Sequence, residues 1–342
     1  METSVHQAPR ITLRKRKRRK PFIKIAIILG ILLILGYLAL FFVVLPERPD
    51  YPFFQGKSRP LAIAYRGGMS MAPENTLVAF QRALDVGADV IHMDLQLSKD
   101  GHLVAIHHDT VDQTTDGEGR VAELTLEELK KLDAAYRFQD IRGHYIYRSQ
   151  GITIPTLEEV LEAFPQTRLW LEVIVPEGDK ENESGGYGPG VILEGETVER
   201  AMARILWDTI ERYGREDFIL VSSENDRFIE AFQRESHGKV PVAAGQQERM
   251  RFIFFHKLYL DRLYRPKVDV MVLPASYAMI NLEDERLIKG GHRYNMPVIY
   301  WDITDENVLR NVLVKGADGV VTAKPDLVIR ILNEMEEFDG HR

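Results

Sequence analysis

The sequence predicts an α/β protein built as a (β/α)8 barrel and preceded by one transmembrane helix. Two observations favour the barrel: eight short apolar runs have the length of buried strands, and helical patterns separate most of them. Strand and helix that alternate eight times favour a parallel, closed sheet over a sandwich. A third observation, an unbroken apolar segment behind a basic tail, predicts the transmembrane helix. A doubly wound open sheet is the alternative fold, because periodicity alone does not exclude it.

The composition limits the chemistry. The 342 residues are 45% apolar and include no cysteine, which excludes a disordered chain, a disulfide-stapled fold, a cysteine nucleophile and a thiolate metal site. Residues 1–20 carry eight Lys or Arg and one Glu, whereas the other 322 residues carry 36 Lys or Arg and 50 Asp or Glu. The body is therefore acidic, with a net charge of −14, and we exclude nucleic acid as its partner.

The N-terminal segment is predicted to be a membrane anchor. Residues 1–20 form a basic tail, residues 21–45 the transmembrane anchor, and residues 46–60 a linker with four prolines. The 21 consecutive uncharged residues of Ile25–Leu45 would extend about 31 Å as a helix, enough to cross a bilayer core. No small-residue cleavage site follows them, which indicates an uncleaved anchor. Because the cation-rich side stays in the cytoplasm, we expect a single-pass membrane protein with an extracytoplasmic barrel.

The barrel is predicted to occupy residues 61–335, a usual length for this fold. Its strands are placed at the apolar runs Leu61–Tyr65, Val90–Leu97, Leu169–Val175, Phe218–Val221, Val240–Ala243, Val268–Val272, Val298–Trp301 and Gly319–Val321. Between them, apolar residues at helical spacing predict amphipathic helices, for example one with Leu77, Phe80 and Leu84 on a single face. The aromatic segment Met250–Tyr264 is expected to pack on the barrel, and a membrane-facing helix is the alternative.

One further apolar run predicts a β-hairpin instead of a barrel strand. Leu103–Ile106 has no helix before it and follows Asp100-Gly101, a strong signal for a two-residue hairpin loop. With that loop, Asp94 would pair with His107. Because side chains alternate along a strand, one face would carry His92, Asp94, Gln96 and His107. Local geometry therefore predicts two histidines and a carboxylate close together.

Polar residues follow the strand ends, where barrel enzymes keep their active sites. Arg66 ends the first strand and precedes two glycines and a helix start, a setting that suits an anion such as phosphate; an internal salt bridge is the alternative. Glu172 lies inside an apolar strand, where a buried charge needs a partner or a metal. A further polar position, Trp301-Asp302, ends a later strand.

A divalent metal site is one interpretation of the polar residues at the strand ends. Asp94, Glu172 and His92 would form an oxygen-rich site for a hard divalent ion, and the imidazole would shift the preference towards Mn²⁺ or Zn²⁺. The alternative is that His92 and Glu172 simply pair inside the barrel.

Several longer motifs carry a specific resemblance. They include Ala64-Tyr-Arg-Gly-Gly, Ala72-Pro-Glu-Asn-Thr-Leu, Gly87-Ala-Asp, Asp94-Leu-Gln-Leu-Ser-Lys-Asp-Gly, Thr114-Thr-Asp-Gly, Ile154-Pro-Thr-Leu-Glu-Glu-Val-Leu and Leu171-Glu172. With these motifs the sequence resembles the glycerophosphodiester phosphodiesterase family, in the PLC-like phosphodiesterase superfamily, over roughly residues 60–330.

The resemblance implies a TIM barrel with one divalent cation, usually Ca²⁺ or Mg²⁺. It implies hydrolysis of glycerophosphodiesters, or of lysophospholipids, to glycerol 3-phosphate or a related phosphomonoester and an alcohol. Matched onto this chain, it makes His107 and Tyr65 the catalytic positions. It makes Arg66 and Trp301 the substrate-binding positions, and Asp94, Glu172 and His92 the metal ligands.

Four positions depart from the family pattern. Tyr65 stands where a catalytic histidine is implied, and His92 stands where a metal glutamate is implied. His108 takes the place of an aspartate, and Ile174 that of a lysine. A register shifted by one residue would restore a His108-Asp109 pair, but it would break the match at Thr114-Thr115.

The departures leave two functions open. The first is a working metal-dependent phosphodiesterase with altered chemistry, in which His107 handles protons and Tyr65 orients or protonates the leaving group. The second is a catalytically silent module that binds a phosphodiester or lipid head group through Arg66.

Overall fold

A computed structural model of the protein describes residues 21–39, 42, 44–56, 58–176, 191–193 and 195–340. The chain divides into two compact units, Met1–Val44 and Leu45–Arg342. In the first unit, helix α1 spans Pro21–Ala39. Among the residues that the structure describes, none of the helices has the length and apolar character needed to cross a membrane. The predicted anchor at residues 21–45 is therefore not confirmed, and the basic tail at residues 1–20 lies outside the described residues.

The second unit contains the sheet. Its strands within the described residues are β1 (Leu61–Ala64), β2 (Val90–Leu97), β3 (Leu103–Ala105), β4 (Arg168–Val173), β5 (Ile219–Ser222), β6 (Met271–Pro274), β7 (Ser276–Tyr277), β8 (Ile280–Asn281), β9 (Val298–Trp301) and β10 (Gly319–Thr322). The helices are α2 (Leu77–Asp85), α3 (Leu126–Leu129), α4 (Leu157–Ala163), α5 (Val198–Tyr213), α6 (Asp226–Glu235), α7 (Gln246–Lys257), α8 (Glu285–His292), α9 (Glu306–Val314) and α10 (Pro325–Gly340).

Seven strands pair side by side and in parallel, in the order β5-β4-β2-β1-β10-β9-β6. The remaining gap is bridged by the chain at Val242 and Ala243, which makes single parallel bridges to Val221 of β5 and to Val270 before β6. The ring closes on itself, so the predicted α/β barrel is confirmed and the open doubly wound sheet is excluded.

Apolar side chains fill the barrel from inside. The interior cluster takes alternate residues of the strands, as the pleat requires; it includes Leu61, Ile63, Val90, Leu220, Val270, Val272, Ile299 and Val321. Phe53 joins this cluster and is fully buried. It belongs to a 3-10 turn, Pro52–Phe54, inside the stretch expected to be a linker. Part of residues 46–60 therefore packs against the barrel, and the Arg48 side chain donates a 2.8 Å hydrogen bond to Asp269.

The helices form the outer layer. α2 and α5 begin at threonine caps and turn apolar faces to the sheet, as their sequence spacing predicts. All three hydrophobic clusters draw their buried residues from the second unit. The unit Leu45–Arg342 thus has a complete core of its own.

The β2–β3 hairpin differs from its predicted register by one residue. The observed pairs are Leu97 with Leu103 and Leu95 with Ala105. The Ser98 N–H donates to the His102 carbonyl, which leaves a three-residue loop instead of the predicted two-residue Asp100-Gly101 turn. Gly101, at φ 90°, takes the left-handed conformation that closes such a three-residue loop. The expected pairing of Asp94 with His107 as strand partners is therefore wrong.

The aromatic segment Met250–Tyr264 packs in part as expected, with Phe252 and Tyr264 buried. His256 is fully buried beside them, where its Nδ1 atom lies 2.8 Å from the Phe252 carbonyl. Its Nε2 atom has no hydrogen-bond partner. A Cβ atom on Gly290 would lie 2.3 Å from the imidazole, so the ring occupies space that only glycine leaves open.

The burial of His256 predicts an acid-sensitive fold. Burial lowers the pKa of His256 to about 4, below the value of about 6.5 usual for a histidine in an unfolded chain. The ring is thus neutral when folded, and unfolding takes up a proton on acidification. The contribution of the neutral ring to stability is complete above about pH 6.5 and is lost as the pH falls towards about 4.

We expect the free energy of unfolding, measured by urea denaturation, to decrease across this window. His256→Asn should flatten the decrease, because asparagine does not titrate there. His102→Asn, at an exposed position, should leave the decrease unchanged. An equal slope in wild type and His256→Asn would contradict the assignment.

Candidate active site

The carboxyl ends of four barrel strands bring the predicted site residues together. Tyr65 and Arg66 follow β1, and Trp301 ends β9. Within the sheet, β2 and β4 lie in parallel with Asp94 beside Glu172 and His92 beside Trp170. Because positions two apart share a face, His92 and Asp94 of β2 point to the same side, as do Trp170 and Glu172 of β4.

Arg66 is held from several sides. It lies in a 3-10 turn, Tyr65–Gly67, and its backbone takes a left-handed φ of 50°. Its guanidinium donates hydrogen bonds of 3.0 Å to Glu74 and 2.7 Å to the Tyr65 hydroxyl, and its Nε atom lies 3.1 Å from Asp94 Oδ2. An arginine carries five N–H groups, so two remain beyond these contacts. Both the predicted salt bridge and the predicted phosphate contact are thus compatible with this geometry.

Asp94 is a fully buried carboxylate with an amide partner. The Asn75 side chain donates a 2.8 Å bond to Asp94 Oδ2 and accepts a 3.1 Å bond from the Asp94 N–H. Burial by itself raises the pKa of Asp94, but His107, His92 and Arg66 outweigh it and hold that pKa below its ordinary value. Asp94 is therefore ionised at neutral pH.

Two histidines follow β3 at the edge of the site. His107 is partly exposed, and its Nδ1 atom lies 3.3 Å from Asp94 Oδ1, so the predicted meeting of these residues is observed despite the different strand register. Gln96 donates to the carbonyls of His107 and His108 at 2.9 and 2.8 Å and fixes this loop. Burial lowers the pKa of His108, which favours its neutral form.

His92 is enclosed by aromatic rings. The ring centroids of Tyr65, Trp301 and Trp170 lie 5.1, 5.1 and 5.5 Å from its own. Its Nε2 atom is 3.0 Å from Glu172 Oε2, and its Nδ1 atom faces the backbone N–H of Arg66 at 3.5 Å. These partners favour the tautomer with its hydrogen on Nε2, directed at Glu172. The predicted His92–Glu172 pair is thus present.

His92, Asp94 and Glu172 also have the geometry of a metal site, because their ligand atoms all lie within 4.8 Å of one another. The approach of His107 Nδ1 to Asp94 Oδ1 is not aligned as a hydrogen bond, which leaves that buried oxygen without a donor. A buried carboxylate oxygen without a donor is stabilised by a cation. Two carboxylates and an imidazole therefore fit a divalent ion.

Glu172 lies between two cavities. The larger, about 670 Å³, is lined by His107 and His108 and by the apolar Ile174. The smaller, about 110 Å³, is lined by Trp170, Trp301, Glu224 and Arg249. Glu172, Ser223 and Glu224 line both cavities, so the two lie next to each other at this end of the barrel.

The family model for the glycerophosphoryl diester phosphodiesterase family matches residues 66–327 of the chain. The chain belongs to this family. A glycerophosphodiester phosphodiesterase from Caldanaerobacter subterraneus is 30% identical over 282 residues, which is 81% of this chain and 99% of that relative.

Solved structures share the fold of this family member. A glycerophosphoryl diester phosphodiesterase domain from Mycobacterium tuberculosis superposes with a TM-score of 0.67 at 20% identity, covering 80% of this chain and 99% of that domain. An Oleispira antarctica phosphodiesterase, solved with the product sn-glycerol-3-phosphate, superposes with a TM-score of 0.59 at 24% identity, covering 80% and 97%. These solved chains match the barrel unit almost over their whole length.

All seven predicted site residues lie at one end of the barrel, yet four neighbours in the site were missed. Asn75 and Glu74 belong to the Ala72-Pro-Glu-Asn-Thr-Leu motif, whose side chains carry no predicted role. Trp170 lies two positions before Glu172 on the same strand. Arg249 lies on α7 and reaches the smaller cavity through a 2.9 Å bond to Glu224, and nothing in its local sequence indicates this.

Proposed function

We propose that the protein is a metal-dependent phosphodiesterase that hydrolyses glycerophosphodiesters or lysophospholipids. The observation that carries the proposal is that His107, 3.3 Å from the buried Asp94, and Glu172, the strand neighbour of Asp94, both line a cavity of about 670 Å³. The relative from Caldanaerobacter subterraneus bears the name of this activity, and the fold is shared with a phosphodiesterase solved with sn-glycerol-3-phosphate.

Each side chain has a defined task in this proposal. Asp94, Glu172 and His92 hold the divalent ion, which when bound neutralises phosphate charge and lowers the pKa of the attacking oxygen. The two remaining N–H groups of Arg66 donate to a phosphate oxygen. His107, whose Nδ1 atom lies 3.3 Å from Asp94 Oδ1, takes a proton from the attacking oxygen and returns one to the departing alkoxide.

Tyr65 cannot replace a histidine as a base. Burial raises its pKa far above the neutral range, and the negative charges of Asp94 and Glu172 add to this, although Arg66 opposes it. The phenol thus keeps its proton. It accepts a hydrogen bond from Arg66 and has its own hydrogen to donate to an oxygen of the substrate.

We expect His107→Ala to lower kcat/KM about 10²- to 10⁴-fold, the usual effect of removing an acid–base group. Turnover of glycerophosphocholine and lysophosphatidylcholine would be measured with Ca²⁺, Mg²⁺, Mn²⁺ and Zn²⁺ in turn. His108→Ala is the matched control, with a much smaller expected loss, and circular dichroism checks folding. If His108→Ala loses turnover and His107→Ala keeps it, the shifted register is correct.

A binding module without turnover is the second candidate function. Three features favour it: the partners of His92 favour a hydrogen on Nε2 that is directed at Glu172, burial raises the pKa of the Tyr65 phenol, and Ile174 brings no charge to the cavity. In that case the wild-type protein turns over neither substrate with any of the four ions. Calorimetry would still detect a bound phosphodiester, and Arg66→Gln would abolish the binding.

We also propose that the ion site favours Mn²⁺ or Zn²⁺ over Ca²⁺ because His92 contributes nitrogen where the family resemblance implies an oxygen ligand. His92→Glu should raise the affinity for Ca²⁺ relative to Mn²⁺, as measured by calorimetry without substrate. His102→Glu adds the same charge at an exposed position away from the site and should leave the preference unchanged. A His92→Glu protein with the wild-type preference would show that His92 is not a ligand.

For location, we propose a single-pass anchor at residues 21–45 with an extracytoplasmic barrel. The uncharged run Ile25–Leu45 behind eight cations supports this proposal. The full chain should stay with membranes after alkaline extraction, whereas Leu45–Arg342 should be released. External protease should digest the barrel unit of intact cells. Release of the full chain by alkali would contradict the anchor.

A further inference from the structure

The smaller cavity beside Glu172 has room for only a small group. Its volume is about 110 Å³, and an apolar protein cavity of about 150 Å³ holds one benzene molecule. By this comparison the smaller cavity suits a group of about five non-hydrogen atoms. Because it lies next to the larger cavity, a group attached to a phosphate in the larger cavity can reach it.

The smaller cavity has both apolar and polar walls. Trp170, Trp301 and Val272 supply apolar surface, and the two indole rings lie 5.7 Å apart. Ser222 supplies a hydroxyl whose oxygen accepts a 2.7 Å hydrogen bond from Trp170 Nε1. A hydroxyl that accepts a hydrogen bond still has its own hydrogen to donate. The walls therefore match a group that carries both C–H and O–H bonds.

The ion pair of Glu224 and Arg249 forms the charged part of the wall. Arg249 Nη2 donates hydrogen bonds of 2.9 Å to Glu224 Oε1 and 3.5 Å to the Ala244 carbonyl. Arg249 Nε is buried and has no hydrogen-bond partner among the described residues. A guanidinium has five N–H groups and a carboxylate has two acceptor oxygens. Their mutual contact therefore uses only part of the hydrogen-bonding capacity of the pair.

A glycine allows this pair to form beside the cavity. Gly245 is the N-cap of α7, and a Cβ atom there would lie 2.7 Å from the Ser223 carbonyl oxygen. Only glycine therefore lets the start of α7 lie this close to the end of β5. The Arg249 N–H donates to the Gly245 carbonyl at 3.1 Å, one helical turn later. The approach of α7 to β5 thus brings Arg249 to Glu224.

The charges of this pair cancel. In the proposed function Glu172 holds the divalent ion, so the charged groups that remain in the wall are Glu224 and Arg249. A charged group in the cavity would be attracted by one of them and repelled by the other. A neutral hydroxyl accepts a hydrogen bond from the guanidinium and donates one to the carboxylate. The wall therefore favours an uncharged, hydroxylated group.

We propose that Glu224 and Arg249 are specificity-determining residues that bind the free hydroxyl groups of the glyceryl part of the substrate in the smaller cavity. Beyond the ester oxygen, a glyceryl group consists of three carbons and two hydroxyl oxygens, the size that the cavity accommodates. An acyl ester on one hydroxyl removes a hydrogen-bond donor, so the protein prefers glycerophosphodiesters to lysophospholipids. The inference rests on the proposed function, because it places the phosphate in the larger cavity.

The test compares glycerophosphocholine with its deoxy analogue, which lacks the terminal hydroxyl, and with lysophosphatidylcholine. All three release choline, so the leaving group is the same. We expect the wild-type kcat/KM to be about 10- to 100-fold higher for glycerophosphocholine, the usual effect of one hydrogen bond to a charged group. Glu224→Ala combined with Arg249→Met should lower kcat/KM for glycerophosphocholine by about this factor and leave the value for the deoxy analogue nearly unchanged.

Glu158→Ala combined with Arg212→Met is the matched control, because it removes a 3.2 Å ion pair between α4 and α5. It should keep the wild-type preference, and both double variants should keep the wild-type melting temperature. Glu224→Gln, which preserves the size of the side chain, should weaken the preference in the same direction. Equal wild-type kcat/KM values for glycerophosphocholine and the deoxy analogue would overturn the inference, as would an unchanged preference in Glu224→Ala with Arg249→Met.

Failure of the proposed function gives a different result. In that case none of the three compounds is turned over with any of the four ions, and calorimetry measures their binding instead. Tighter binding of glycerophosphocholine than of the deoxy analogue, lost in Glu224→Ala with Arg249→Met, would support the hydroxyl contacts without turnover. Equal affinities, or no binding of either compound, would overturn them.

Discussion

The enclosed charge of Asp94 is the constraint on which the mouth of the barrel depends. A buried carboxylate is stable only where its neighbours compensate it, and here Asn75, Arg66 and His107 approach its two oxygens. Two of these partners follow β1 and the third follows β3. One buried charge therefore fixes the positions of two loops, and with them the side chains proposed to hold phosphate and to move protons.

The same constraint accounts for backbone strain beside the site. Arg66 and Asn75 both have left-handed backbones, with φ of 50° and 56°. Asparagine tolerates this conformation, but for arginine it costs about 1 kcal/mol or more. The bonds from Arg66 to Glu74 and Tyr65 and its ion pair with Asp94 offset that cost. The strained backbone of Arg66 thus lies where its side chain reaches Asp94 at the end of the barrel.

The sequence was sufficient to predict the barrel, because buried parallel strands are short and apolar and are separated by amphipathic helices. β2 and β9 have the predicted bounds, whereas Val240–Ala243 makes only single bridges. The hairpin register differs because a glycine with positive φ accommodates a loop of three residues as readily as one of two. Arg249 and the β7–β8 ribbon were missed for another reason: ion pairs and surface ribbons arise from tertiary contacts that leave no periodic pattern.

Two of the four departures from the family pattern lie beside Glu172. His92 stands where the resemblance implies a carboxylate, and Ile174 stands where it implies a lysine. The His92 Nε2 atom lies 3.0 Å from Glu172 Oε2, and in the tautomer that its partners favour it donates to this carboxylate, which lacks a nearby lysine. The imidazole therefore takes over, at Glu172, part of the compensation that a nearby lysine would supply to a carboxylate inside the barrel.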